Sequence, residues 1–201
     1  MSLRAFSIIL ATVGLASAIP PACAQQFSEG YQFLEAIKKA DGTKVMEILN
    51  KPGTRIIDTK DRELGEGALH IVAKRGDSVY LRFLLQRGAN ANLLDRDGNS
   101  AMMDAVGSGY VEGVQILLTY KANVNLRNSK GETPLIRAVQ LRNLELVRIL
   151  LDAGADPDQA DVIAGMSARA YAAGDTRSPA IRKALADAKK VAPRTAAGPT
   201  L

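Results

Sequence analysis

The sequence predicts an all-α protein, a solenoid of short helix-turn-helix units stacked side by side. Three observations predict it. Landmark residues recur every 33 positions through the middle of the chain. Within each recurrence the apolar residues follow helical rather than strand periodicity. The 201 residues are 47% hydrophobic but only 4% aromatic, with no Trp, a composition suited to helices packed through small and aliphatic side chains. A charged fraction of 23% alongside that apolar content excludes wholesale disorder. One Cys and one His exclude a disulfide framework and a classical structural zinc site.

Taken in order, residues 1–24 are expected to be a secretory signal peptide. Arg4 precedes an apolar run from Ala5 to Ile19, then Pro20, Pro21 and the small-x-small site Ala22-Cys23-Ala24. The run of about 15 residues falls short of the ~20 that span a bilayer, so a leader is favoured over an anchor. Pro20 stands where a lipoprotein signal carries an aliphatic residue three places before its Cys, which argues against lipid attachment at Cys23. Cleavage after Ala24 leaves a chain starting at Gln25 without any Cys, as suits an oxidising compartment. The expected destination is the bacterial periplasm, with the membrane met only through the leader.

The repeat follows. Gly65, Gly98 and Gly131 are 33 residues apart, as are Leu84-Leu85, Leu117-Leu118 and Leu150-Leu151. Ala89-Asn90-Ala91-Asn92, Ala122-Asn123-Val124-Asn125 and Ala155-Asp156-Pro157-Asp158 keep the same register. Several landmarks at one spacing mark a stack of equivalent units. Gly131-Glu132-Thr133-Pro134-Leu135 and Gly154-Ala155-Asp156 resemble the opening and closing motifs of the ankyrin-repeat family. That resemblance implies a unit of turn, two antiparallel helices and a finger loop. It covers three full repeats, a fourth that opens at Gly165 after one inserted residue, and an N-terminal half-match from Glu29 to Asn50. The expected organisation is N-terminal capping helices in 25–60, repeats in 61–93, 94–126 and 127–160, a C-terminal cap in 161–188, and a disordered tail in 189–201.

Each unit is also readable from its own chemistry. Thr133 is placed to cap an inner helix whose first position is Pro134, where the missing N–H costs nothing. Ser100 and Ser167 are placed to cap theirs. Leu135, Ala138 and Val139 form one buried stripe, and Leu146, Val147, Leu150 and Leu151 form another. Gly88 and Gly154 are expected to be left-handed residues after the outer helices, with Lys121 forced into that conformation in the middle unit. Lys38, Lys39, Asp41 and Lys44 make one end of the stack polar, and Arg177, Arg182, Lys183 and Asp187 the other.

Three motifs imitate chemistry. Asp95-Arg96-Asp97-Gly98-Asn99 resembles a calcium loop, but its Gly falls at the fourth position and not the sixth. Gly107-Ser108-Gly109-Tyr110-Val111-Glu112-Gly113 imitates a phosphate loop, yet no strand precedes it and it falls between the two helices of its unit. His70, the sole His, has no nucleophile in a shared motif; the family resemblance implies hydrogen bonding between repeats for it. No residues assemble an acid, a base and oxyanion donors, so no enzymatic activity, cofactor or metal is expected. The net charge of +5 is dispersed and aromatics are scarce, which argues against nucleic acid as a partner.

The resemblance implies a protein-binding module acting as a monomer on a partner protein of unknown identity. Docking on, and inhibiting, a neighbouring enzyme is one alternative. Binding nucleic acid or anionic surfaces is another. Carried through the register, the family's concave face places Glu63, Leu64, Glu66, Lys74 and Arg75 of the first full unit at the partner. The second contributes Arg96, Asp97, Asn99 and Ser108, and the third Ser129, Lys130, Glu132, Gln140 and Leu141. Leu64, Arg75, Arg96 and Leu141 are the expected anchors, because apolar residues free of packing duty and Arg concentrate binding energy. Asn128 lies beside them in a finger and is expected to matter little for stability unless its side chain supports the turn.

Overall fold

In the computed structural model the described residues are 21–53 and 56–188, and these contain ten helices in five antiparallel pairs. They are α1 (Pro21–Lys38) with α2 (Gly42–Leu49), α3 (Ala68–Arg75) with α4 (Ser78–Gln86), and α5 (Ala101–Gly107) with α6 (Val111–Thr119). After them come α7 (Pro134–Gln140) with α8 (Leu144–Asp152), and α9 (Ala168–Gly174) with α10 (Pro179–Asp187). Helix α1 begins before Gln25 and so runs across the expected cleavage point. The rest of the expected leader and the expected tail lie outside the described residues. No helix among the described residues is long and apolar enough to cross a membrane.

Each pair packs on the next and on little else. The inner row runs α1, α3, α5, α7, α9, and α4, α6, α8 and α10 form the outer row. Helices of seven to nine residues are too short to persist alone in water, so burial between pairs sustains them. Leu135, Ala138, Leu146, Val147 and Leu150 are buried in one pair, and Phe33, Ala36, Ile37, Val45 and Ile48 in the first. At the far end Ile181 and Leu185 are buried while Ala180 is exposed, so the last apolar stripe is narrower than its sequence suggested.

The caps form as the residue types dictate. Ser100, Thr133 and Ser167 each accept the N–H three residues on, from Met103, Ile136 and Ala170. Gly88, Lys121 and Gly154 follow the outer helices at φ 87°, 60° and 85°, so Lys121 does carry a Cβ in the left-handed region. A second such column runs through the helix turns as Gly76, Gly109 and Arg142. Gly109 therefore belongs to the turn between α5 and α6, as expected for that glycine run.

A finger projects from each junction. One backbone bond closes each of them: Asp61 N–H to Glu66, Asp95 N–H to Asn99, Asn128 N–H to Glu132 and Asp161 N–H to Met166. Successive fingertips are tied to each other. Leu64 C=O accepts from Arg96 N–H at 2.8 Å, Asp97 C=O from Ser129 N–H at 2.8 Å and Lys130 C=O from Val162 N–H at 3.0 Å. On the opposite edge, Asp58, Asn92 and Asn125 side chains accept the N–H groups of Asn90, Asn123 and Asp156. These bonds account for the Asn-rich landmark, whose residues link one repeat to the next.

Candidate functional site

Side chains from three inner helices and two fingers line one cleft of about 680 Å³. Its floor is α5, with Met103, Asp104 and Gly107. Lys74 stands on one side and Arg137 on the other, from α3 and α7. The fingers supply Asp97, Asn99, Asn128, Ser129, Lys130 and Glu132. Seven of the sequence-derived contact residues therefore meet around one opening: Lys74, Asp97, Asn99, Ser108, Ser129, Lys130 and Glu132.

A missing side chain explains why the cleft opens there. In the repeat before it, Lys74 reaches back from the end of its inner helix to the Glu66 carboxylate of its own finger. In the repeat after it, Gln140 reaches Glu132 in the same way, at 3.2 Å. Gly107 occupies the equivalent position in the middle repeat and can send nothing to Asn99. A Cβ built on Gly107 would meet nothing within 4 Å.

The floor carries an unusual carboxylate. The Asp104 side chain is only 8% exposed, with Oδ1 3.6 Å from Lys74 Nζ. Its Oδ2 is buried without a hydrogen-bond partner. Burial pushes the Asp104 carboxyl up to about 7, since Lys74 offsets only part of the desolvation and Asp95 and Glu66 add repulsion. Beside it, Asn128 Nδ2 donates to Asn99 Oδ1 at 3.2 Å and to Glu132 Oε2 at 3.0 Å. Asn128 Oδ1 accepts the N–H groups of Lys130 and Glu132, both at 3.0 Å. Asn128 thus builds its finger, the one case in which its removal was expected to matter for stability.

His70 is fully buried on α3, and all its bonds are internal. Nδ1 accepts Gly67 N–H at 3.1 Å, so Nε2 carries the proton and donates to the Asn99 carbonyl at 3.0 Å. Burial lowers its pKa and keeps it neutral. It links two repeats, as the resemblance implied. Asp95 likewise spends its carboxylate inside its own finger, accepting Asn99 N–H at 2.7 Å and Asn99 Nδ2 at 3.1 Å. No group of His, Cys, Asp and Glu suited to a metal occurs among the described residues.

The four expected anchors do not line the cleft. Leu64 and Leu141 are exposed, at 56% and 44%. Arg96 is exposed at a fingertip and donates to the Arg62 carbonyl at 2.6 Å. Arg75 must be reassigned. It donates to the Ile37 carbonyl at 2.6 Å and to Asp77 Oδ2 at 2.9 Å, and its guanidinium lies over the Tyr80 ring. Those bonds satisfy the end of α1, a structural duty that leaves little for a partner. Glu63 is exposed, its N–H held by Asp61. Sequence reasoning missed Met103, Asp104, Gly107, Asn128 and Arg137. The 33-residue register contained the signal, because Ile71, Asp104 and Arg137 are equivalent and only Asp104 is a carboxylate.

Comparison with known proteins agrees with this geometry. A family model described as ankyrin repeats, three copies, matches residues 33–128, and a model of the single ankyrin repeat matches 130–162. Together they span well over half of the chain. No curated protein matches it.

Proposed function

Because the chain belongs to the ankyrin-repeat family, whose members are generally protein–protein interaction modules and typically non-catalytic, we propose that it binds a partner protein through its concave face and fingertips. The observation that carries this reading is the continuity of that face. Three backbone bonds join the fingertips from Leu64 to Val162, so their side chains form one preorganised surface, which lowers the ordering cost of binding. The cleft at Asp104 lies within it. The protein acts without catalysis and as a monomer.

Export to the periplasm is part of the same proposal and is supported by the leader-like sequence before Gln25. N-terminal sequencing of fractionated protein tests it: a chain starting near Gln25 in the periplasm supports export, and intact Met1 in the cytosol overturns it. For binding, the mature chain is used to capture partners from periplasmic extract. A variant with Leu64, Arg96 and Leu141 all changed to Ala is compared with an outer-helix variant at Gln86, Gln115 and Arg148, all exposed. Loss of capture in the first variant alone supports the reading. Loss in the second alone assigns binding to the convex side.

A further inference from the structure

We infer that the Asp97–Gly98 peptide, at the second fingertip, is a site of spontaneous covalent modification. There the aspartate isomerises to isoaspartate, and the backbone bond to the third finger is lost. Asp97 is exposed, and its carboxylate makes no hydrogen bond or ion pair with the described residues. Gly98 follows it at φ 78°, so no side chain crowds the nitrogen that must attack. The sequence holds one other Asp-Gly pair, Asp41–Gly42, and that one is guarded: Asp41 Oδ1 accepts Lys44 N–H at 3.0 Å as the N-cap of α2. The neighbouring Asn99 and Asn128, each followed by a serine, have both ends of their carboxamides bonded.

The Gly98 nitrogen attacks Cγ of the protonated Asp97 carboxyl, forming an N–Cγ bond and closing a five-membered succinimide. The carboxyl hydroxyl and the amide proton leave together as water. Water then adds back at one of the two ring carbonyls. Opening at Cγ restores aspartate. Opening at the backbone carbonyl breaks the original peptide bond and leaves the chain running through Cγ. Water is the only molecule released and taken up. Closure requires the Asp97–Gly98 peptide unit to turn, and two bonds hold it: Gly98 N–H to the Asp95 carbonyl at 3.3 Å and Ser129 N–H to the Asp97 carbonyl at 2.8 Å. In the product that carbonyl carbon is a free carboxylate, and the backbone is one methylene longer. Space for it is short, since a Cβ on Gly98 would stand 2.9 Å from the Ser129 nitrogen. The Ser129 N–H therefore loses its acceptor, at the rim of the cleft that Asp97 and Ser129 both line.

The test is peptide mapping of the full chain after prolonged incubation in mildly acidic buffer made with heavy-oxygen water, which marks each site that has passed through the ring. A protease that cuts before aspartate and not before isoaspartate measures the product. Isoaspartate at Asp97 is expected to accumulate about tenfold faster than at Asp41, the factor set by the charge-assisted bond that holds the Asp41 carboxylate. Asp97→Glu keeps the charge but has to close a six-membered ring, so its fingertip peptide should stay unmodified. In the separated isoaspartate form, amide exchange should quicken at Ser129 and stay unchanged at Val162, the donor of the next tip bond. Heavy-oxygen uptake at Asp41 equal to that at Asp97 overturns the inference. So does uptake undiminished in Asp97→Glu, or Ser129 exchange unaltered in the modified chain. None of these readouts involves a partner, so their failure leaves the concave-face reading standing.

Discussion

His70 and Asp104 sit on neighbouring inner helices, α3 and α5, the first fully buried and the second with a side chain only 8% exposed on the floor of the cleft. His70 has a partner for each ring nitrogen, Gly67 within its own repeat and Asn99 in the next. Asp104 has a lysine 3.6 Å from one oxygen and nothing on the other. Burial shifts both pKa values toward the neutral form, down for the imidazole and up for the carboxyl. The difference separates two uses of a buried polar group. A satisfied one joins repeats to each other, and a half-satisfied one keeps its proton to a higher pH at a cost to the fold.

The largest effect expected from breaking this comparison is at His70. His70→Leu orphans the Gly67 N–H and the Asn99 carbonyl and should cost about 2–4 kcal/mol in urea melts. A loss under about 0.5 kcal/mol, the range of ordinary surface changes, would mean that the two bonds do not join the repeats.

Asp104→Leu should do the opposite and stabilise the protein by about 2–3 kcal/mol at pH 8, within the ceiling of about 4 kcal/mol set by a carboxyl moved from 3.8 to about 7. The sign follows from proton binding. Between pH 4 and 7 folded Asp104 holds more protons than the unfolded chain, so its penalty is small in acid, grows as pH rises and is complete above about 7. His70 acts in the other direction: its pKa is lowered on folding, so its contribution is whole above 6.5 and is lost as pH falls below that. Wild type should therefore show a flattened stability profile from pH 8 to 5, whereas Asp104→Leu should lose stability steadily on acidification. Parallel profiles would show that Asp104 is not titrating in this range.

Arg75→Ala should cost about 1–2 kcal/mol, because it strips the end of α1 of its charged donor. Asn128→Ala should cost about 1 kcal/mol or more through the Lys130 and Glu132 N–H groups. Partner capture distinguishes the two, since only the finger variant distorts the wall of the cleft. The smallest change expected is Lys121→Gly, a gain of about 0.5–1 kcal/mol from relief of a left-handed Cβ at φ 60°.

The fold was legible because it is written in repetition. Gly65, Gly98 and Gly131 are each left-handed at a fingertip, and Ser100, Thr133 and Ser167 each cap a helix, so one physical requirement recurs at each unit. The site was legible only where it shares that register. Lys74, Asn99 and Glu132 emerged because the concave positions repeat, while Asp104 and Gly107 escaped because each is the exception in its column. Arg75 misled because its composition suggested an anchor, and only three-dimensional proximity shows the Ile37 carbonyl that it caps. The sequence carries no record of which exposed arginine is already engaged.

The fingertip bonds and the pairwise stacking have a consequence for motion. Each helix pair leans on its immediate neighbours alone, so opening can start at either end and advance one pair at a time. Asp104 lies on the third of five pairs, equally far from both ends. Fraying of α9 and α10, or of α1 and α2, therefore leaves the cleft walls of α3, α5 and α7 assembled. Amide exchange should then be graded along the array, slowest at α5 and faster toward either terminus. A solenoid that loosens from its ends keeps its central groove in shape for most of its lifetime.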